Sequence, residues 1–268
     1  MNAAGNPLIH GLAAEGEPPA DDCADWRAVL DARHGRGPVP QGSPLATLYG
    51  PLCMPRAEGC AFAHLAQSLD GRIATAGGMS RWLSGAEDLL HTHRMRALCD
   101  AVLVGSETVL HDDPQLTVRR CTGTSPVRVV VDPERRLDAS QRVFRDGAAP
   151  TLLLVAEDRA TRGPDPGLAE IVPVARIGGQ LDPHEIRRVL ARRGLGRLFV
   201  EGGGTTVSRF LAAGALDRLQ LTIAPVIIGS GRPGLALPQI SDLADSLRPR
   251  TRRFVFGDDV MVECVFRD

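Results

Sequence analysis

Residues 197–206 read Arg197-Leu198-Phe199-Val200-Glu201-Gly202-Gly203-Gly204-Thr205-Thr206. A short apolar run, three glycines and then hydroxyl residues opening a periodic apolar stretch predict a buried strand that turns sharply into a helix over 205–213. Similar runs recur along the chain: CAFAHLA (60–66), AVLVG (101–105), VRVVVD (127–132), TLLLVA (151–156), EIVPVA (170–175) and RLQLTIAPVII (218–228). Helical stretches are expected between them at 84–99 and 182–193, the first with Ser84 as N-cap and Glu87 completing a capping box. Near-continuous apolar strands imply a sheet covered on both faces, hence parallel. The last two runs, RFVF (253–256) and VMVECVF (260–266), flank Gly257-Asp258-Asp259 and predict an antiparallel hairpin. The expected fold is α/β, a mixed, mostly parallel twisted sheet flanked by helices, with an antiparallel C-terminal edge.

Upstream, residues 1–22 have the composition of a disordered arm. A short helix is expected over Asp25–Arg33, followed by the breaker-rich GRGPVPQGSP (35–44). The chain therefore divides into an N-terminal extension, 1–59, and a main domain, 60–268. Because every recognisable site motif starts at His64, the extension is expected to be dispensable for folding.

The formal net charge of −1 creates no field that would steer the chain to nucleic acid or an anionic membrane. No apolar run approaches a membrane span, and the first residues lack a signal-peptide core, so a cytoplasmic protein is expected. There is no lysine among the 31 basic residues, so any bound anion must be held by arginine forks, hydroxyls or backbone amides. The six cysteines form no CxxC pair and read as reduced thiols; no metal site is expected.

In an open α/β sheet, ligands sit outside the carboxyl ends of the strands. The loops there carry Ser68, Asp70, Ser80 and Trp82, then Ser106 and Thr108, then Asp112 through Arg119. The glycines at 202–204 suit close approach to a phosphate at a helix start, yet a strand-to-helix turn needs glycine anyway. Glu201 is either a loop anchor or a site carboxylate. Arg96, i+3 from His93, and Arg119 are either an anion clamp or solvated charges.

The run from His64 to Arg119 resembles the reductase domain of the bacterial bifunctional riboflavin-biosynthesis deaminase/reductase, which has a dihydrofolate-reductase-like fold. The matching motifs are Ser68-Leu69-Asp70-Gly71-Arg72, Ser80 with Trp82, His93 to Arg96, Ala101 to Gly105, Thr108-Val109 and Asp112-Asp113-Pro114 with Leu116, Thr117 and Arg119. Val129 to Asp132, Glu201-Gly202-Gly203 and Ala224-Pro225 with Gly229 follow in order, so the likeness covers about 60–268. It implies NADPH-dependent reduction of 5-amino-6-(5-phosphoribosylamino)uracil by hydride transfer to C1′ of the ring-opened ribosylamino group, in a homodimer.

Carried onto this sequence, the resemblance implies that Ser80, Arg96 and Arg119 hold the substrate phosphate. Asp112 and the backbone at Leu116 and Thr117 would face pyrimidine and ribose, and Ser68 and Asp70 would line the pocket. Trp82, Ser84, Gly105, Ser106, Thr108 and Gly202, Gly203, Gly204, Thr205 and Thr206 would hold the cofactor. Asp70, Glu201 or His64 would supply a proton.

Two positions depart from the family. His64 stands where a lysine is usual, and Pro133 where a serine is usual, with Arg135 and Arg136 beside it as possible partners for a 2′-phosphate. Residues 1–59 lack the zinc deaminase motifs, so a reductase-only chain is expected. The alternatives are a reductase of the same fold acting on a related pyrimidine or pterin, which His64 favours, and a non-catalytic nucleotide-binding protein.

Overall fold

The computed structural model describes residues 23–54, 56 and 58–267. The predicted arm, 1–22, lies outside them. Two helices open the described chain, α1 (Ala24–Arg33) and α2 (Pro44–Cys53). Strand β1 (Cys60–Ser68) and the short β2 (Arg72–Thr75) lead to α3 (Ala86–Leu98), β3 (Ala101–Gly105), α4 (Ser106–Asp112) and β4 (Val127–Val131). Next come α5 (Arg142–Arg145), β5 (Thr151–Ala156), β6 (Glu170–Val174) and a small hairpin of β7 (Arg176–Ile177) and β8 (Gln180–Leu181). Then follow α6 (Pro183–Arg192), β9 (Arg197–Gly202), α7 (Gly204–Ala212) and β10 (Arg218–Ala224). The chain ends with β11 (Gly231–Pro233), β12 (Arg250–Phe256) and β13 (Asp259–Val265).

Nine strands form one sheet in the order β12-β13-β10-β1-β9-β3-β4-β5-β6. From β10 to β6 every neighbouring pair is parallel, and β13 and β12 add an antiparallel edge. This is the sheet the sequence predicts, including the hairpin turned at Gly257, whose φ is +60°.

The period of two places alternate side chains of one strand in opposite cores. Phe62, Val102, Val104, Val130, Leu153 and Phe199 face one layer with Met95 and Leu98 of α3. Ala61, Ala63, Leu65, Leu103, Val129 and Val200 face the other, closed by Ile186 and Leu190 of α6 and Val207 and Phe210 of α7.

Three local differences from the sequence reading have physical causes. The first helix of the main domain is capped by Gly85, not Ser84; the Ser84 hydroxyl donates instead to Asp88 Oδ2 at 2.6 Å. The breaker-rich stretch ends in α2, which Pro44 starts because its fixed φ suits the first helical turn. The described part of the extension also packs into the core. Trp26, Val29, Leu48, Tyr49 and Leu52 are buried in the same cluster as Phe62 and Met95, and Trp26 donates through Nε1 to the Thr122 carbonyl at 2.9 Å.

Candidate active site

A cleft of about 550 Å³ opens where the carboxyl ends of β3, β4 and β9 meet the starts of α4 and α7, with the β2–β11 ribbon across it. That volume lies within the range of about 300–1,000 Å³ usual for small-molecule sites. Two glycines shape it. A Cβ on Gly204 would lie 2.3 Å from the Gly234 carbonyl oxygen, and one on Gly105 would lie 2.5 Å from Thr206 Oγ1. Only glycine lets α7 start this close to both segments. The Gly203 N–H donates to Thr108 Oγ1 at 2.8 Å, which ties the glycine turn to α4. The first amides of α7 lack intrahelical partners and carry the positive end of its dipole, and the start of this helix, Gly204 to Thr206, lines the cleft.

Nine of the residues expected to hold substrate or cofactor line this cleft: Ser80 and Asp112 at one end, then Gly105, Ser106 and Thr108, and Gly203 to Thr206. Ser80 Oγ donates to Asp112 Oδ1 at 3.4 Å. At the same end, Arg232 Nη2 donates to His111 Nε2 at 3.0 Å, and the other ring nitrogen donates to the Glu107 carbonyl at 2.6 Å. Arg136 and Arg209 add cations elsewhere along the lining.

Other expected site residues are engaged within the protein and lie outside the cleft lining. Arg96 is 6% exposed and grips Glu201 with both arms of its fork, Nε to Oε2 at 2.7 Å and Nη2 to Oε1 at 2.5 Å. Its Nη1 donates to the Thr117 carbonyl at 2.9 Å. The two residues thus neutralise each other, and the fork expected to hold a phosphate is filled by a carboxylate. Arg119 donates from Nη1 to Thr117 Oγ1 at 2.8 Å, and its backbone N–H donates to His93 Nδ1 at 2.9 Å. Burial and the neighbouring Arg96 charge lower the Arg119 pKa.

Asp70 accepts from Ser68 Oγ at 2.6 Å and from the N–H groups of Ile228 and Gly229 at 3.1 and 2.7 Å. These bonds, the Ser68 hydroxyl first, hold its pKa down at about 2. A carboxylate held so low has no proton to give near neutral pH; it clamps the 68–71 turn to the 226–229 loop.

His64 lies in β1, 5% exposed, with Nε2 3.0 Å from Asp88 Oδ1 and 3.1 Å from Thr222 Oγ1. Burial opposes its charge, but the Asp88 carboxylate outweighs burial and raises the pKa. The same pairing carries Asp88 well below the usual carboxylate range against the effect of its own burial. His64 therefore pairs with Asp88 beneath α3, outside the cleft lining. Ser84 belongs to that network, Trp82 is 60% exposed outside the lining, Leu116 is buried, and Gly202 ends β9 just short of the cleft.

The reading of the sequence missed Glu107, His111, Arg209 and Arg232. Glu107 and His111 lie on α4, too short for a periodic signal but legible as an i,i+4 pair once a helix is placed there. Arg232 sits in a three-residue strand with no alternation to announce it.

Residues 61–252 match the family model described as the RibD C-terminal domain. The chain belongs to that family. It is 40% identical over 211 residues to the 2,5-diamino-6-ribosylamino-4(3H)-pyrimidinone 5′-phosphate reductase of Methanothermobacter thermautotrophicus, covering 75% of this chain and 94% of that protein. It is 33% identical over 201 residues to the riboflavin biosynthesis protein RibD of Aquifex aeolicus, covering 74% of this chain and 55% of the relative. A crystal structure of the deaminase/5-amino-6-(5-phosphoribosylamino)uracil reductase of Thermotoga maritima superposes with a TM-score of 0.67 at 28% identity, over 77% of this chain and 56% of that one. The chain thus spans about half the length of these last two proteins and nearly all of the first.

Proposed function

We propose that this chain reduces the ribosylamino group of a phosphoribosylaminopyrimidine to a ribitylamino group, using NADPH. The observation that carries this reading is the cleft itself. In a member of the RibD C-terminal domain family, it lies at the carboxyl ends of three parallel strands, with glycines that admit close approach and a helix amino end suited to a pyrophosphate.

Gly105, Ser106, Thr108 and the Gly203–Thr206 turn would hold the dinucleotide. A bound reduced nicotinamide supplies a hydride. Ser80 and Asp112 stand at the end of the cleft left for the pyrimidine and ribose. Arg232, fixed by His111, is the guanidinium there best placed for the substrate phosphate. Asp112, which accepts from Ser80 Oγ, lies at that end as a hydrogen-bond partner for the substrate.

Two substrates are to be distinguished. The uracil form is the first reading; the diaminopyrimidinone form is favoured by the 40% identity to a relative that is covered almost whole. Consumption of NADPH is measured with each phosphorylated pyrimidine in turn, and the ratio of kcat/KM values decides between them. Oxidation with neither overturns the reading.

The described residues contain no helix long and apolar enough to cross a membrane. We place the protein in the cytoplasm, where its nucleotide substrates are. We also propose a homodimer, for which the open edge strand β12, with Val255 72% exposed, offers a surface.

A further inference from the structure

We propose that Glu107 is a built-in competitor for the phosphate that Arg136 receives at the outer end of the cleft, so that this pair sets how strongly the chain prefers a 2′-phosphorylated adenosine cofactor. The proposal rests on the nicotinamide reading above.

In parallel α/β sheets that bind dinucleotides, the ribose 2′ position is read just past the end of a strand beside the phosphate turn, by an acid for a hydroxyl and by an arginine for a phosphate. Strand β4 is next to β3, and Asp132, Arg135 and Arg136 follow it. Asp132 is fully buried, and its Oδ2 accepts from the N–H groups of Arg136 at 2.6 Å and Leu137 at 2.8 Å. That carboxylate shapes the loop. Arg135 turns inward, donating to the carbonyls of Ala160 at 2.8 Å and Pro164 at 3.2 Å.

Arg136 is left to face the cleft, its side chain 54% exposed. Its Nη2 donates to Ser106 Oγ at 3.2 Å and to Glu107 Oε1 at 2.7 Å. Of the other acids at this end, Asp132 is buried with Oδ1 3.9 Å from Arg136 Nε and held by the loop amides, and Glu134 is already paired with Arg176 at 2.5 Å and Arg159 at 3.2 Å. Glu107 is therefore the carboxylate that a ligand must displace from Arg136.

Displacement is feasible because the pair is solvent-exposed, Glu107 at 64%, and such pairs are weak. A phosphate dianion makes stronger, charge-assisted bonds to the same fork. The displaced carboxylate stays on α4 within reach of the phosphate and repels it. Its nearest alternative partner is His111, whose Nδ1 lies 3.9 Å from Glu107 Oε2. The result is a 2′-phosphate preference that exists but is held below what Arg136 alone would give.

The test uses full-length chain and two nicotinamide-free probes, adenosine 2′,5′-bisphosphate and adenosine 5′-monophosphate, titrated by calorimetry. Wild type is expected to favour the bisphosphate roughly tenfold or more. Glu107→Gln should widen the ratio about three- to tenfold at low salt, with the gain shrinking at high salt. Arg136→Ala should bring the two affinities within about twofold of each other. A ratio unchanged in Glu107→Gln, or one that survives Arg136→Ala, overturns this proposal and leaves the nicotinamide reading intact. Wild type that binds neither probe and oxidises neither NADPH nor NADH overturns both.

Discussion

The buried pair of Arg96 and Glu201 is where expectation and structure diverge most, and Glu201→Gln tests it. Arg96 is 6% exposed and the Glu201 side chain 16% exposed, with two parallel hydrogen bonds between them. The amide keeps one acceptor but turns an N–H pair toward the guanidinium, leaving a buried cation with no counter-charge. Breaking a buried pair by removing one partner costs about 3–5 kcal/mol. For a chain of this size each kcal/mol lowers Tm by about 2–4 °C, so a drop of roughly 6–20 °C is expected. The double variant Arg96→Met/Glu201→Leu removes both charges and should recover most of the loss, because apolar replacement of a whole pair is often near neutral. Thermal unfolding followed by circular dichroism, with urea titration alongside, provides the numbers. If Glu201→Gln unfolds within about 2 °C of wild type while catalysis collapses, the pair is not what holds Arg96, and Glu201 belongs to the chemistry instead.

Two further outcomes are expected. Burial is the largest cause that depresses His91 and His93 to about 3, so both are neutral in the fold and take up protons on unfolding below pH about 6.5. Their contribution is whole above that pH and is lost as pH falls toward 3, by about 2 kcal/mol each at pH 5, whereas His64, shifted upward, contributes below its unfolded value and loses that as pH rises. Urea midpoints from pH 7 to 5 should therefore fall, and less steeply in His93→Asn; a flat profile in wild type would refute neutral burial. Trp26→Ala should cost about 3–5 kcal/mol, because the ring is fully buried and edge-on to Tyr49 with centroids 5.5 Å apart; a loss below about 1 kcal/mol in urea titration would mean that α1 and α2 are draped on the core rather than built into it.

The sheet was legible because its strands are continuous apolar runs and its last turn carries Gly257-Asp258, features that act locally. The glycine turn at 202–206 was legible for the same reason: glycine there answers a need for close approach, now visible as the 2.3 Å that a Gly204 Cβ would leave to Gly234. What the chain does not announce is which polar groups satisfy each other. No single segment shows that Asp70 takes three donors, or that Glu201, 105 positions away, fills the fork of Arg96. Pairings of that kind are decided by strand order, and the crossover that brings β9 between β1 and β3 is not written in any single segment. Helix α2 was hidden by its own proline, a breaker elsewhere and a starter at the first turn.

The same reasoning applies to His64, which stands where a lysine is usual and lies outside the cleft lining. Across four strands the sheet sets His64, Gln220, Glu263 and Arg252 side by side. Each is satisfied from a neighbour: His64 by Asp88, Gln220 by His91 Nε2 at 2.9 Å, and Glu263 by Arg218 at 3.2 Å and by Arg252. His91 also accepts from the Tyr49 hydroxyl at 2.8 Å, so α2 completes the row. The rings of His64 and His91 lie 5.1 Å apart, and two cations at that distance underground would repel. The Asp88 carboxylate eases that conflict by raising the pKa of His64, while burial, with His64 beside it, lowers that of His91 to about 3. Position 64 thus meets Asp88 where α3 packs on the sheet, and a histidine can donate there as a lysine would.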